Sequence, residues 1–496
     1  MSHTTESRVK KTFLNARVNL TFYLLNLVLS FFSRKIFLDS LGADFIGLTG
    51  TLTNLLGFLN LAELGIGSSI GYVLYKPLFE KDQQKINEII SVMGYLYRWI
   101  GFIILGLGCV LACFLPLIFP DTGFNLSIIY FAYLSFLLSS LIGYFINYRQ
   151  NLLGADQRNY VVTAYFQTIS IVKVIIQLIC AYYTHNYYLW IFIELFFGII
   201  YSFILNWKIN QTYPWLKTNI KNGRKYMDSH PLIIQNTKRI FLHKIGIVTQ
   251  WQAMPILIYA FESLKLVAFY ENYSLIVSKL TGLVNSVMGS SEAAVGNLIA
   301  EGNKNTVERV LWEMITLRFW VCGGVILILY KVLPPFIELW LGKEYLLPNV
   351  ILYLLIIKIF IESVQGCLGQ FIYGFGLFDD VWATLAQSVI FVIGAIIGGH
   401  FWGLTGILAA SVLSVVLWYG LWKPYYLYHN GFKSPIWDFW SRWLTIFLQF
   451  AFSLCAALLL ENFIIKVEPC TSYKDLIGYL SLLCVCYVLP SMFVLI

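Results

Sequence analysis

Long apolar runs separated by short polar hinges occupy almost the whole chain, and they predict α-helices that cross a bilayer. A hydrocarbon core about 30 Å thick takes roughly 20 apolar residues per helix. Runs of that length fall at 18–38, 45–75, 90–118, 125–147, 160–184 and 187–207. After a polar stretch from Lys208 to Arg239 they resume at 240–261, 265–300, 311–334, 349–374, 381–400 and 403–422. A last pair follows at 443–461 and 474–496. The pattern predicts an all-α polytopic membrane protein with about 14 transmembrane helices. The runs 45–75 and 265–300 are too long for one straight crossing, and Gly57, Gly65, Gly67 and Gly71 mark the first for a bend.

The two halves of the ladder echo each other. Gly67-Ser68-Ser69 recurs as Gly289-Ser290-Ser291, Gly154 as Gly376 and Tyr160 as Trp382, all at a shift of 222 residues. Asp39-Ser40-Leu41 and Glu262-Ser263-Leu264 correspond at 223. Six spans lie between the copies, so both halves face the same way. The expectation is two six-helix lobes related by a pseudo-two-fold axis along the membrane normal, plus a C-terminal helix pair, a recurring transporter plan. The corresponding divisions are an N-lobe at 1–207, a cytoplasmic inter-lobe linker at 208–239, a C-lobe at 240–430 and the terminal pair at 431–496.

Composition agrees with the pattern and adds sidedness. Of 496 residues, 58% are hydrophobic, 17% aromatic and 12% charged, with a mean hydropathy of +0.72; soluble domains carry about 25% charged residues. The net charge of +8 sits in particular loops instead of on one soluble face, which argues against nucleic acid and for a topology signal. With the N-terminus inside, about 21 basic residues fall in inner segments and about seven outside, so both termini are expected in the cytoplasm. The outer loops are short, and no Gly-rich nucleotide-phosphate motif with its Lys is present. The nine cysteines are scattered without metal-ligand spacing and read as small hydrophobes. No small-residue cleavage site follows the first apolar run, so the first span is expected to be retained.

Three stretches carry a family resemblance. The segment Arg34-Lys35-Ile36-Phe37-Leu38-Asp39-Ser40-Leu41-Gly42-Ala43-Asp44-Phe45-Ile46-Gly47-Leu48 resembles the end of the first helix and first outer loop of bacterial polysaccharide flippases. Glu63-Leu64-Gly65-Ile66-Gly67-Ser68-Ser69 is similar to the small-residue motif of their second helix. Leu152-Leu153-Gly154-Ala155-Asp156-Gln157-Arg158-Asn159-Tyr160 resembles their inner loop between helices four and five. These flippases belong to the multidrug/oligosaccharidyl-lipid/polysaccharide exporter (MOP) superfamily. The resemblance implies movement of an undecaprenyl-diphosphate-linked oligosaccharide from the inner to the outer leaflet by alternating access. It also implies a cationic central cavity lined mainly by helices one, two, seven and eight.

Ionisable residues at bilayer depth are costly and usually face a cavity or a partner. The basic candidates for the diphosphate are Lys279, Arg34, Lys244, Arg98, Arg318 and Lys173, because guanidinium and ammonium groups donate charge-assisted hydrogen bonds to phosphate oxygens. Glu63, Glu271 and Glu292 are the candidates for coupling-ion binding or charge balance. Trp251, Tyr270 and Tyr273 are candidates for stacking on sugar rings, against an interfacial or packing role. Each cation has a structural alternative: Arg34 can snorkel outward, and Arg98 and Arg318 sit near inner span ends where lobe-closing bridges are equally suitable. Lys358 and Glu362, four apart, suit an ion pair on one helix face.

The sequence reading is therefore a non-enzymatic flippase of a bacterial cytoplasmic membrane that serves surface polysaccharide synthesis. No cofactor or metal is expected, and the drive would come from the membrane potential or from a proton or sodium gradient. The expected partners are the lipid-linked oligosaccharide, membrane lipids and a polysaccharide polymerase of the same pathway, with the flippase itself a monomer. A multidrug cation antiporter of the same superfamily is the alternative, and it predicts a smaller, more acidic or apolar cavity. A membrane polymerase or glycosyltransferase is the second alternative, and it would need larger outer loops with catalytic acids.

Overall fold

The computed structural model describes residues 8–63, 65–120, 122–288, 295–296, 298–299, 301–377, 379–464 and 472–495. Every regular element among them is helical. The chain forms two compact units: residues 1–259 with 263–268, and residues 260–262 with 269–496.

Among the described residues, ten helices are long and apolar enough to cross a membrane. The difference from about 14 has physical causes. Two predicted spans, 381–400 and 403–422, fall in a single helical run, Val381–Phe432. That run is a hairpin. Gly403 adopts φ 55 inside it, and Gly398 lies against the backbone of Gly406 so closely that a Cβ would sit 2.6 Å from its carbonyl oxygen. The other three are the spans at 45–75, 240–261 and 265–300, whose helices carry too many polar groups or are too short. The second span breaks into α2 (Ala43–Leu59), a 3-10 turn (Asn60–Glu63) and α3 (Ile66–Glu80). Of the four glycines marked for a bend, Gly65 makes it, at φ 95 in the left-handed region that favours glycine.

In the first unit, α1 (Arg8–Leu41) packs on α7 (Asn159–Thr184), and α4 (Gln83–Ile118), α5 (Leu126–Phe145) and α8 (Tyr187–Thr212) form a contiguous group. The polar stretch after α8 is docked on α4. The Lys217 amide donates to Asn87 Oδ1 at 2.9 Å, the Asn219 amide donates to Ser91 Oγ at 2.9 Å, and His230 lies 3.5 Å from Glu88. α9 (Gly223–Ser229) and α10 (Leu232–Phe261) follow, so the seventh long helix begins inside the polar stretch, eight residues before its apolar run. α11 (Leu264–Met288) starts in this unit and continues in the other. The repeated motif Gly289-Ser290-Ser291 lies outside the described residues.

The second unit is built on α12 (Lys304–Trp340), α13 (Asn349–Gln365), α14 (Leu368–Gly374), the hairpin begun by α15 (Val381–Val415), and the terminal pair, Ile436–Ile464 and Tyr473–Leu495. Its core is aromatic: the Phe319 ring meets Phe360, Trp443 and Phe450 at centroid distances of 5.5, 5.7 and 5.5 Å. The terminal pair is integral to this unit. Tyr487 donates to the Trp320 carbonyl at 2.6 Å, and Lys331 on α12 pairs at 2.8 Å with Glu461, which is fully buried.

Local structure repeats as well, but in a register three residues off the one read from the sequence: the counterpart of Gly376 is Gln157, and Gly154 lies inside the short helix before it. α6 (Gln150–Ala155) and α14 are short helices closed by a left-handed residue, Gln157 (φ 58) and Gly376 (φ 70). In each, an amide reaches five residues back: Arg158 to Leu153 at 2.8 Å and Leu377 to Ile372 at 3.0 Å. The first repeat of the Asp39/Glu262 motif receives the turn of a helical hairpin, with His185 Nδ1 2.8 Å from the Ser40 carbonyl. The second does likewise through Glu262, whose carboxylate accepts the Leu404 amide at 2.9 Å beside Gly403.

Candidate functional site

A seam of small and polar residues runs along the first unit where α2 and α3 meet α10 and the start of α11. Gly47 faces the Leu264 carbonyl, so that a Cβ would sit 1.9 Å from its oxygen. Gly57 lies under the Gln252 amide, and a Cβ at Gly65 would stand 2.8 Å from the Thr237 carbonyl. Ser69 Oγ donates to the Ile233 carbonyl at 2.7 Å. Without a hydrophobic drive between helices in lipid, backbones that approach this closely need small residues and interhelical hydrogen bonds. The motif Glu63 to Ser69 thus has a structural job along one edge of this seam.

Two of the predicted cations sit on the seam. Arg34, half-buried on α1, donates from Nη2 to the Ala268 carbonyl at 3.0 Å. Lys244 is exposed on α10, with Nζ 3.4 Å from Ser68 Oγ. Glu63 is half-buried, and its carboxylate accepts a hydrogen bond from the Tyr97 hydroxyl. The Tyr97 oxygen in turn accepts from Asn151 at 3.4 Å. Nearby, Asn60 Oδ1 accepts from both Ser140 and Tyr144 at 3.0 Å. Trp251, on the same α10, leaves 71% of its surface exposed.

Two other predicted cations of this unit lie elsewhere. Lys173 is paired with Glu194 at 2.5 Å, and Gln177 donates to the other oxygen of that carboxylate at 3.0 Å. Lys173 and Glu194 line a cavity of about 480 Å³ among α5, α7 and α8. Arg98 is exposed on α4 and lines a separate cavity of about 620 Å³ with Arg149.

In the second unit, Lys279 and Glu271 are half-buried on α11. Tyr270 and Tyr273 are buried, at 8% and 1% exposure, and the Tyr273 hydroxyl accepts the Leu347 amide at 3.0 Å. Their rings serve packing in this conformation, whereas Trp251 presents its ring. Arg318 is 4% exposed and donates to the Ser363 carbonyl at 2.8 Å. Glu292 lies outside the described residues. Lys358 and Glu362 are electrostatic neighbours, and Lys423, set between π-helical segments Val416–Trp422 and Leu427–Phe432, is a second cation near Glu362. Among the described residues no cluster of three His, Cys, Asp or Glu side chains suits a metal ion.

The sequence reading takes Lys173 and Glu194 as separate intramembrane charges and misses their pairing, and it misses the polar roles of Gln177, Asn60 and Asn151. Lys173 and Gln177 are four apart on one helix face, which is a signal; their carboxylate partner comes from another span, and no spacing rule reaches it.

No protein-family model matches this sequence, and no curated protein is similar to it. Solved structures are similar in fold. One described as lipid II flippase MurJ in an inward closed conformation matches over 97% of this chain and 98% of its own length, with a TM-score of 0.66 at 14% identity. The chain shares the fold of that structure. An inward-facing multidrug resistance MATE family transporter of the MOP superfamily matches 84% of this chain and 98% of its own length, with a TM-score of 0.59 at 16% identity. The Vibrio cholerae MATE transporter VcmN in its bent form matches 86% of this chain and all of its own, with a TM-score of 0.50 at 14% identity. These neighbours are described as a flippase and transporters, and this chain, with their fold and its apolar helices, is a multi-pass membrane protein.

Proposed function

We propose that this protein is a flippase that carries an undecaprenyl-diphosphate-linked oligosaccharide across a bacterial cytoplasmic membrane by alternating access, for surface polysaccharide synthesis. The observation that carries the reading is the extent of the fold match. The lipid II flippase covers 97% of the chain, the MATE transporters only 84–86%.

The chemistry of the helices supports the same reading. The spans that lack the apolarity of the other ten include α10 and α11, which bear Lys244 and Lys279. A helix that keeps ammonium groups at membrane depth has a use for them, and a diphosphate matches their charge. Arg34 on α1 is a further proposed cation for the diphosphate, and Trp251 is proposed to offer a ring face to sugar. Glu63 and Glu271 are the proposed carboxylates for a coupling proton or sodium ion, and the membrane potential is the third candidate drive. The termini are proposed to be cytoplasmic, the protein a monomer, and a polysaccharide polymerase its pathway partner.

The multidrug antiporter reading is favoured by a different observation, the fold match to the MATE family transporter at a TM-score of 0.59. One experiment separates the two. Deletion of the gene in its own host should abolish a surface glycan. The wild-type gene should restore it, and Lys279→Ala should restore about a tenth of it, since a charge-assisted hydrogen bond is worth about 1.5–3 kcal/mol. Unchanged glycan in the deletion, with gained sensitivity to cationic dyes, would establish the antiporter instead.

A further inference from the structure

The cavity that holds Arg98 combines two cations with apolar walls. It measures about 620 Å³ and opens in the first unit between α4, the end of α5, the 3-10 turn Asn147–Arg149 and α8. Its floor is polar and ordered. Arg149 donates from Nη1 to Asn210 Oδ1 at 2.9 Å and from Nη2 to Asn206 Oδ1 at 2.7 Å. Asn206 and Ser202 are themselves held by Asn147 Oδ1, at 3.0 and 2.8 Å.

These partners fix the guanidinium through neutral amide oxygens, so its charge is positioned but not cancelled. Arg149 Nε is buried and has no acceptor among the described residues. Arg98, across the same cavity, is exposed and has neither a hydrogen bond nor an ion pair among them. No carboxylate lines the space. Two uncancelled guanidinium groups at the end of a transmembrane bundle are costly unless an anion arrives.

The walls name the kind of anion. Ile142, Phe145 and Ile199 line the cavity, and two further lining residues, Ile146 and Phe203, are 44% and 72% exposed. In a membrane such a face meets acyl chains. The end of the bundle is also basic: Lys208 lies in the last turns of α8, and Lys217, Lys221 and Arg224 follow before α10. Basic pockets between helices at a membrane face suit anionic lipid headgroups.

We propose that this cavity binds the headgroup of an anionic glycerophospholipid of the surrounding bilayer, with Arg98 and Arg149 sharing its phosphate and its chains lying along Ile146 and Phe203. Planar guanidinium forks are matched to phosphate oxygens. The bound lipid would brace α4 against α8 from the membrane side. The inference holds whichever cargo the protein carries.

Native mass spectrometry of the full-length protein, released from nanodiscs of equal phosphatidylglycerol and phosphatidylcholine, tests it. The wild type should retain phosphatidylglycerol selectively. Arg98→Gln should lower that retention about tenfold, equivalent to about 1.4 kcal/mol, with phosphatidylcholine unaffected. Arg149→Lys keeps the charge but loses the fork, and should also weaken selectivity; it decides the matter if Arg98→Gln fails to fold. Arg309→Gln, on an exposed part of α12, should behave as wild type. Equal retention of the two lipids by the wild type, or no loss in either cavity variant, would overturn the proposal. Displacement of phosphatidylglycerol by equimolar undecaprenyl diphosphate would also overturn it, by making the cavity a cargo site.

Discussion

The seam of the first unit and the core of the second solve the same packing problem with opposite materials. Along α2, α3 and α10 the close approaches are glycine to backbone and hydroxyl to carbonyl: Gly47 to Leu264, Gly65 to Thr237, Ser69 to Ile233. Around Phe319 the contacts are ring on ring, with Trp443 and Phe447 stacked at 5.1 Å and Phe360 on Phe450 at 5.3 Å. Interdigitated rings resist separation, because every ring leaves a hole when it moves. Small residues let helices meet closely while giving up little shape, and their hydrogen-bonding groups can be satisfied again by water or a polar ligand. The alternating access proposed above would use both kinds of contact. The glycine seam has the composition of a surface that parts, and the aromatic core that of one that stays closed.

The largest effect is expected in the core. Phe319 is 2% exposed and touches three other rings. Phe319→Ala should destabilise the protein by about 3 kcal/mol or more, seen as a marked fall in the thermal midpoint and in the folded yield from detergent. A midpoint equal to wild type would mean that the aromatic cluster is not what holds the second unit together.

A smaller and more local effect is expected at the seam. The Cβ of Gly47→Ala would lie 1.9 Å from the Leu264 carbonyl oxygen, a backbone atom that cannot rotate away. The helices must shift, at a cost of about 1–3 kcal/mol. Hydrogen exchange of a peptide covering 264–270 should speed up severalfold while the core around Phe319 keeps its protection. Unchanged exchange there would show that the missing Cβ is not what permits the approach.

The contrast between the regions also explains what the sequence disclosed. The ladder of helices was legible because bilayer spans must be apolar over about 20 residues. The bend at Gly65 and the hairpin at Gly403 were marked by glycine and by a short polar hinge. Helix starts were misplaced where helices outrun the bilayer: α10 begins at Leu232 and α12 at Lys304, in polar turns where hydropathy carries no helical signal. The seam was half legible, since the small residues stood out but their partners on α10 did not. Least legible were polar pairs between spans. Lys173 and Glu194 lie on the two arms of one helical hairpin, and Arg98 and Arg149 are separated by the rest of α4 and all of α5, so only the fold brings each pair to one cavity.

The smallest effect belongs to neither region, and it sets the scale for a purely local contact. Asp82 caps α4, its carboxylate accepting the Lys85 amide at 3.0 Å and lying 3.2 Å from the Lys85 ammonium. The backbone hydrogen bond, chiefly, holds this carboxyl below its ordinary value of 3.8. A depressed folded-state value means that the cap stabilises the helix above about pH 4, where the unfolded carboxyl is already charged. The contribution is lost as the pH falls through the folded value, once both states are protonated. Asp82→Ala should therefore lower the thermal midpoint slightly at pH 7, far less than either substitution above, and the gap to wild type should close in strong acid. A gap that persists unchanged at low pH would mean that the charged cap is not its source.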